Sequence, residues 1–477
     1  MKKRRLTDLI PAPVLAIFVG GILIRHLYIV DTSIYTRQHD VSMFGEGSGH
    51  IGYIEYLMNN FSLPDFDPQT VWQFAHPPLH HFISALWMKL MLGLGVELNT
   101  AAESLQYLTF AYSLLIMYAG YRIFCLLGLK KGPLYIATAI FTFHPTFIYL
   151  SGSINNDCLS VMFITLAILF ILKWNKDNSY KNIIGAALCV GLGLMTKLSV
   201  IVVCVPIAVL FVLKLIDAIR QKNIKPTILR YLCFGGISIP LGLWFPVYNN
   251  IRFGLPLLFV YRLDENTLQY IGDIPFLQRV FDFSPVQFSS VYEQWRSYDE
   301  TQVPNYNENN PIIAALKSAI FGEYTGDHTF DQAPEFNIYA VIVFYTAAAL
   351  AIIGFAAMIV LTVRKRSSMQ TTETVFILTF YATMMISFYR NCMEYPFVCT
   401  QNFRYIPLTV LVGALYIGKA FQNCAPGISN NQTGAELTDG DSRSLRLKHA
   451  FGYVILTLAI IFCITASTLV LGTLQVT

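Results

Sequence analysis

Charged residues are scarce in this chain. Asp, Glu, Lys and Arg make up 13% of its 477 residues, against about a quarter in soluble globular domains. Hydrophobic residues make up 55%, and the mean hydropathy is +0.51. This composition excludes an ordinary soluble domain and predicts an all-α polytopic protein whose helices lie in a lipid bilayer.

Several sequence signatures are also missing. The nine cysteines form no CxxC pair and no zinc-type spacing, and Cys392 and Cys399 are the two that could pair in a disulfide. Without a Walker or GxGxxG motif or an internal repeat, nucleotide binding and ATP-driven transport are not expected. The net charge of +4 comes from short basic blocks between apolar runs, so nucleic acid is not expected as a partner.

Apolar runs long enough to cross a bilayer core of about 30 Å predict eleven spans. They lie near residues 11–30, 104–127, 132–151, 157–173, 182–196, 198–216, 229–248, 337–362, 372–389, 404–422 and 450–473. The first run follows MKKRR without a small-residue cleavage pattern, so we expect an uncleaved span. The basic blocks share one side of the membrane if residues 77–95 do not cross, which predicts the orientation.

This topology divides the chain into three parts. They are a membrane module at 1–248 with a first exterior loop at 31–103, an exterior subdomain at 249–336, and C-terminal spans at 337–477 with a cytoplasmic loop at 423–448. Residues 77–95 are predicted to form an amphipathic or re-entrant helix at the outer face, with Pro77 and Pro78 in its first turn. We expect the function to lie in the two exterior loops.

The first exterior loop contains carboxylates and histidines that suit acid–base chemistry. Asp40, just beyond the first span, is the first candidate for a general base that deprotonates a hydroxyl. A helix-capping role is the competing interpretation. Five of the nine histidines lie in the same loop, namely His39, His50, His76, His80 and His81.

A divalent metal ion is one ligand that these histidines could hold. His76 and His80 are four residues apart, and His39 or His50 could complete a site. Exterior histidines more often bond to loops or substrates, so the metal remains an open alternative.

Polar and cationic residues also stand at the outer ends of later spans. Asn155, Asn156 and Asp157 open the span near 157, either as helix caps or as groups that orient a sugar or the base. The cations in such positions are Lys197, Arg252 and Arg404. A cation at a span end snorkels to water or meets an anion. A lipid phosphate is such an anion, and arginine binds it through several hydrogen bonds.

In this order, the HPPL motif at 76–79, NND at 155–157, YNNIRFGLP at 248–256 and NFRYIPL at 402–408 resemble the GT-C membrane glycosyltransferases. The most similar group is the bacterial dolichyl-phosphate-mannose protein mannosyltransferase-like group of glycosyltransferase family 39, related to the aminoarabinose transferases. The resemblance covers roughly residues 1–260 and 400–410. It implies a GT-C fold with two juxtamembrane helices in the first exterior loop.

The resemblance also implies a set of site residues. Asp40 matches the family's leading acidic residue, His76 to Pro78 its His-Pro-Pro, and Asp157 the acid that opens a later span. Arg252 and Arg404, with Lys197, would bind the donor phosphate. The substrate pocket would be formed by His39, His50, Glu55, His76, His80, Asn156 and Asp157, with Trp72 or Tyr53 on a sugar face.

This sequence departs from the family pattern at two places in the first loop. Val41 follows Asp40 where the family often has Asp-Glu, so Glu46 and Glu55 remain alternative bases. Ala75 precedes His76 where aminoarabinose transferases tend to have an acid.

The implied function is an inverting glycosyltransferase in the plasma (inner) membrane. It would move a monosaccharide from a polyprenyl-phosphate donor to a hydroxyl of a protein, glycolipid or cell-wall acceptor on the exterior or periplasmic face. A transporter or flippase of polyprenyl-linked lipids or solutes is the alternative, although its polar groups would be expected in broken helices at mid-membrane. The sequence specifies neither the sugar nor the acceptor.

Overall fold

The computed structural model describes residues 10–35, 40–259, 263, 265, 269–288, 291, 309–322, 327–424 and 439–474. These residues are almost entirely helical, and the one isolated β-bridge among them pairs Tyr270 with Phe397 in antiparallel orientation. The helices are α1 (Ala12–Asp31), α2 (Gly49–Asn60), α3 (Leu79–Gly93), α4 (Leu98–Glu103), α5 (Gln106–Leu126), α6 (Lys131–Phe143), α7 (Pro145–Gly152), α8 (Asp157–Asp177), α9 (Tyr180–Leu194), α10 (Cys204–Arg220), α11 (Lys225–Phe253), α12 (Phe276–Phe281), α13 (Pro311–Phe321), α14 (Asp327–Gln332), α15 (Asn337–Val363), α16 (Thr371–Glu394), α17 (Thr409–Cys424) and α18 (Asp439–Gly472).

Eight helical segments among the described residues are long and apolar enough to cross a membrane, and the α6–α7 pair makes a ninth if it is one bent span. The predicted all-α membrane fold is confirmed, but the count of eleven spans is not. The predicted spans at 182–196 and 404–422 correspond to α9 and α17, which have 15 and 16 residues. Helices of this length rise only about 23 Å, less than the bilayer core.

The predicted span at 132–151 is bent by 46° between α6 and α7. Pro145 begins α7, and His144 before it has extended backbone angles. Proline lacks an N–H and disfavours helical geometry in the residue before it, so the helix breaks at this point.

The first exterior loop folds around its own small hydrophobic core. Its helices α2 and α3 pack against each other, as expected, and buried residues from both form this core, including Ile51, Ile54, Ala85 and Met88. Helix α3 occupies the segment predicted at 77–95, and it is not among the helices that could span the membrane by length and composition.

The described parts of the second exterior segment rest on the end of α16 and on the residues that follow it. Ile271 N donates to Pro396 O at 2.9 Å, and Val398 N donates to Gln269 O at 2.9 Å. Two short 3₁₀ turns, Val398–Gln401 and Phe403–Tyr405, then lead into α17.

Candidate functional site

Four charged side chains from distant parts of the sequence meet at one place, and we call them the ionic cluster: Asp40, Asp157, Lys197 and Arg404. Arg404 Nη1 lies 3.1 Å from Asp40 Oδ2 and 3.7 Å from Asp157 Oδ2. Lys197 Nζ pairs with Asp157 Oδ1. The side chain of Asp157 is 4% exposed and that of Arg404 10%, whereas that of Asp40 is 30% exposed. Two cations and two carboxylates therefore balance in a partly enclosed site.

The first exterior loop presents Asp40 through a tight turn. Asp40 has a φ of +61°, in the left-handed region where Asp and Asn are tolerated better than most residues. Its carbonyl accepts from His50 N at 2.9 Å, at the start of α2. Gly49, with a φ of +70°, lies so close that a Cβ there would be 2.6 Å from Val41 O. The capping interpretation is not what the side chain shows, because the Asp40 carboxylate contacts Arg404.

Asp157 is the first residue of α8, where a carboxylate is favoured by the helix dipole. The side chain of Asn155, not of Asp157, accepts the Asp157 backbone N–H, at 2.9 Å. Asn156 has a different contact, since its Nδ2 donates to Thr196 O at 3.1 Å. Asn156 thereby ties the start of α8 to the residue before Lys197.

The HPPL motif and the residue after it are hydrogen-bonded to the segments that precede Asp157 and Lys197. The backbone N of Leu79 donates to Met195 O at 3.1 Å, and His80 Nε2 lies 2.6 Å from Ile154 O. The starts of α3 and α8 and the segment after α9 are therefore linked by hydrogen bonds. This convergence explains why Asp157 and Lys197, 40 residues apart, form an ion pair.

Tyr405 is a member of the site for which sequence analysis predicted no role. Its ring lies 5.6 Å from Lys197 Nζ and 5.2 Å from Arg404 Cζ, and its hydroxyl accepts from Arg404 Nη2 at 3.3 Å. Its 36% exposure is larger than that of either cation. The signal was its place in NFRYIPL, directly after the predicted phosphate ligand.

Four histidines lie behind the ionic cluster, and we call them the histidine stack: His50, His76, His80 and His81. The ring of His50 stacks on those of His76 and His81, with centroids 5.6 and 5.1 Å apart, and His80 meets His81 edge-on at 5.4 Å. His50 Nδ1 is 2.8 Å from His81 Nε2, so one of these atoms carries the proton that the other accepts.

The histidine stack is neutral at physiological pH. Burial lowers the pKa of both His76 and His80 to about 4, and Lys197 lowers that of His76 further while Asp40 and Asp157 oppose the shift. Burial also holds the pKa values of His50 and His81 well below 6.5.

Among the described residues, no group of three or more His, Cys, Asp or Glu side chains is arranged to hold a metal ion. His50 and His81 use ring nitrogens to bond to each other, and His80 uses one on the backbone. The ring nitrogens that a metal would need are thus partly engaged.

Other predicted site residues lie apart from the ionic cluster. Arg252 is exposed at the end of α11, where it donates to Tyr248 Oη at 2.5 Å and to Asp65 O at 3.4 Å. Glu55 accepts from Gly45 N at 3.0 Å, and Glu46 accepts from Met43 N at 3.1 Å. Both glutamates hold the turn that follows Asp40.

Three further sequence expectations have mixed outcomes. His39 lies outside the described residues. Tyr53 is fully buried between Phe74 and His81, at 4.7 and 4.5 Å, so the expectation that it packs on a sugar face is wrong. Cys392 and Cys399 are not bonded to each other, and Cys392 Sγ donates to Thr400 O at 3.4 Å.

Residues 75–244 match the family model described as dolichyl-phosphate-mannose-protein mannosyltransferase. This region contains His76, Asp157 and Lys197. None of the curated proteins matches the chain.

Several solved structures have a similar fold. The archaeal oligosaccharyltransferase AglB from Archaeoglobus fulgidus, in complex with an inhibitory peptide and a dolichol-phosphate, is 13% identical with a TM-score of 0.53, over 99% of this chain and 56% of AglB. ArnT from Cupriavidus metallidurans bound to undecaprenyl phosphate is 12% identical with a TM-score of 0.49, over 99% and 77% of the two chains. The S. cerevisiae Pmt1-Pmt2 protein O-mannosyltransferase complex bound to the sugar donor is 12% identical with a TM-score of 0.40, over 58% and 37%.

The family match over residues 75–244 and the AglB-like fold point the same way. The chain is a multi-pass membrane protein with a GT-C-like helical fold, and the resemblance expected from HPPL, NND and NFRYIPL is confirmed. It spans little more than half the length of AglB.

Proposed function

We propose that this protein is an inverting glycosyltransferase that moves a monosaccharide from a polyprenyl-phosphate donor to an acceptor hydroxyl. The observation that carries the proposal is the ionic cluster, in which a partly exposed carboxylate, Asp40, lies beside the guanidinium of Arg404. A glycosyl transfer needs a base for the acceptor hydroxyl and cations for the leaving phosphate. In the cluster Asp40 would be the base, and Arg404, 3.1 Å from it, and Lys197 would be the cations.

The donor phosphate would bind at Arg404 and Lys197. These cations are neutralised by Asp40 and Asp157 in the protein without substrate. An incoming phosphodiester therefore competes with a carboxylate for Arg404, and the more exposed carboxylate, Asp40, is the one that yields. Donor binding thus releases Asp40 from its ion pair at the moment when a base is needed.

The reaction is a single displacement. The acceptor oxygen attacks the anomeric carbon from the face opposite the phosphate, while Asp40 takes the hydroxyl proton. The new C–O bond forms as the bond from the anomeric carbon to the phosphate oxygen breaks, so the configuration inverts and polyprenyl monophosphate leaves. Lys197 and Arg404 stabilise the negative charge that develops on this phosphate.

The remaining predicted residues have supporting roles in this proposal. His76, whose pKa is shifted by the charges of all four members of the ionic cluster, would border the acceptor and sugar pocket as a neutral group. His50 and His80 hold His76 and the start of α8 in place. Tyr405, rather than the buried Tyr53, is the aromatic face available to a sugar, and Trp72 is a second exposed ring.

Arg252 and Glu55 belong to the rim of the site. Arg252 reaches the first exterior loop at Asp65, and it could meet the donor phosphate only after the loop or the side chain moves. Glu55 shapes the turn next to Asp40. We place the reaction at the exterior face of a plasma or inner membrane, because Asp157 begins α8 whereas the basic Lys176 lies in its last turn, and basic residues are favoured on the cytoplasmic side.

The proposal is tested with the purified protein in lipid and a panel of radiolabelled sugars on undecaprenyl or dolichyl phosphate. We expect label transfer to an acceptor, or slow donor hydrolysis, with a product anomer opposite to that of the donor. Retention of configuration would overturn the mechanism. Donor movement across sealed vesicles without any turnover would favour the transporter alternative.

A further inference from the structure

A buried arginine in the second exterior segment has no assigned role. Arg279 lies in the short helix α12 and is 1% exposed. Its guanidinium donates to Asn309 O at 3.1 Å, Cys392 O at 2.9 Å and Gln401 Oε1 at 2.9 Å. All three acceptors are uncharged. They come from the second exterior segment, from the end of α16 and from the 3₁₀ turn before Arg404.

A buried guanidinium is costly unless its donors are satisfied. Two features stabilise Arg279 without a carboxylate. The Cys392 carbonyl lies in the last turn of α16, where unpaired helix carbonyls carry partial negative charge. The amide oxygen of Gln401, which is fully buried, then receives a second charge-assisted hydrogen bond. Arg279 therefore fastens the Gln401 turn to the end of α16.

The residues between Gln401 and Arg404 continue this chain of contacts. Asn402 Oδ1 accepts from Arg404 N at 2.9 Å, and Phe403 N donates to Ser318 Oγ of α13 at 2.9 Å. Helix α13 is itself hydrogen-bonded to α7, since Thr146 Oγ1 and Tyr149 Oη of α7 donate to Ala319 O and Ile320 O. The second exterior segment thus contacts the backbone next to Arg404 at two points: Arg279 binds Gln401, and Ser318 binds Phe403.

We propose that Arg279 is a positioning residue for the donor phosphate: through Gln401 it sets where the Arg404 guanidinium stands relative to Asp40 and Lys197. This inference rests on the proposed function, because it takes Arg404 to be a phosphate ligand. A shift of about 1 Å in a catalytic or binding group can lower a rate by about 100-fold. Arg279 therefore acts on donor affinity and turnover without touching the substrate.

The same contacts give the second exterior segment a role at the donor side of the proposed site, because Arg279 links the segment to the turn before Arg404. Changes in this segment should therefore alter donor affinity even where no residue of the segment reaches the donor.

The experiment measures the Kd for farnesyl phosphate, a short polyprenyl monophosphate, together with the rate of donor hydrolysis. The variants are Arg279→Met, Arg279→Lys, Gln401→Met and the Arg279→Met/Gln401→Met double variant. We expect a tenfold or greater rise in Kd for Arg279→Met, a smaller rise for Arg279→Lys, and no further rise in the double variant. The apparent melting temperature in detergent reports whether each variant folds.

The matched control is Arg390→Met, which removes an exposed arginine of α16 whose partner is Glu394 at 3.6 Å. It should leave the Kd unchanged. Folded Arg279 and Gln401 variants with wild-type Kd would overturn the inference, and so would additive effects in the double variant. If Arg279→Met fails to fold, Gln401→Met decides alone, because it leaves the other two Arg279 hydrogen bonds in place.

The outcome also separates this inference from the proposed function. A wild-type protein that does not bind farnesyl phosphate above the level of the lipid vesicle contradicts the donor site itself. A wild-type protein that binds it, with Arg279 variants that bind equally well, contradicts only the positioning role.

Discussion

Arg404 Nη1 lies 3.1 Å from Asp40 Oδ2, although the two residues are 364 positions apart in the sequence. The contact joins the first exterior loop to the segment before α17 and closes the ionic cluster. It also makes the Asp40 carboxylate a competitor of the donor phosphate for Arg404. Several measurable consequences depend on this relationship.

The first prediction concerns Asp40→Asn, which keeps the size of the side chain and removes its charge. Turnover should fall by about 100- to 10,000-fold, the range usual for loss of a general base. Donor affinity should rise at the same time, because Arg404 loses the carboxylate that competes with the phosphate. Titration with farnesyl phosphate and a donor-hydrolysis assay measure the two effects separately.

Glu46→Gln and Glu55→Gln provide the matched controls for Asp40. Both carboxylates accept backbone N–H groups in the turn after Asp40. They should weaken folding slightly and leave donor affinity unchanged. A fully active Asp40→Asn protein, or one in which Glu55→Gln alone abolishes turnover, would assign the base to another residue.

The second prediction concerns the Asp157–Lys197 pair. Asp157→Asn leaves an uncompensated positive charge in an enclosed site, and breaking a buried ion pair in this way costs about 3–5 kcal/mol. The double variant Asp157→Asn/Lys197→Met restores charge balance, so its apparent melting temperature should recover. Its turnover should not recover, because Lys197 is a proposed phosphate ligand.

The Lys176–Glu373 pair, with atoms 3.1 Å apart, is the control for this prediction. Glu373 is buried at the start of α16, and it is not part of the ionic cluster. Glu373→Gln should lower the melting temperature but leave the Kd for farnesyl phosphate unchanged. Recovery of turnover in the Asp157→Asn/Lys197→Met protein would show that the pair is structural.

The sequence predicted local features better than long-range ones. The helix expected at 77–95 is found at Leu79–Gly93, but Pro78 is its N-cap, so Pro77 and Pro78 precede the first turn in which they were predicted to lie. Span lengths were less predictable, since hydropathy does not show where tertiary contacts end a helix. The start of α17 at Thr409, after Pro407 and two 3₁₀ turns, is an example.

The site itself was predictable as a set of residues but not as a set of contacts. Asp40, Asp157, Lys197 and Arg404 were each expected at the outer ends of spans. No sequence pattern indicates that Arg404 bridges the two carboxylates, because that geometry depends on how α1, α8 and α17 pack. The contacts of Arg279 could not be predicted for the same reason, since all its partners are distant in sequence.

The third prediction separates the ring of Tyr405 from its hydroxyl. Tyr405→Phe keeps the aromatic face over Lys197 and Arg404 and removes the weak 3.3 Å contact with Arg404 Nη2. Its turnover should stay within about threefold of wild type, because at 3.3 Å this hydrogen bond to the charged guanidinium is longer than usual, and we expect it to contribute only about 0.5 kcal/mol. Tyr405→Leu should raise the donor KM by tenfold or more and change the preference among sugars. Equal sugar preferences in wild type and Tyr405→Leu would exclude a sugar-binding face.

The fourth prediction is an acid-sensitive stability that comes from the histidine stack. A histidine whose pKa is lowered by folding binds a proton more readily in the unfolded chain, so its contribution to stability is complete above pH 6.5 and is lost as the pH falls toward the folded value. Between pH 6.5 and about 4, each such histidine should remove about 1.4 kcal/mol of stability per pH unit. The apparent melting temperature should therefore fall steeply below pH 6.5 and be nearly flat between pH 7 and 8. His80→Gln keeps a donor for Ile154 O but does not titrate, so its melting temperature should fall less steeply below pH 6.5. An unchanged slope in that variant would show that His80 does not contribute to the acid sensitivity.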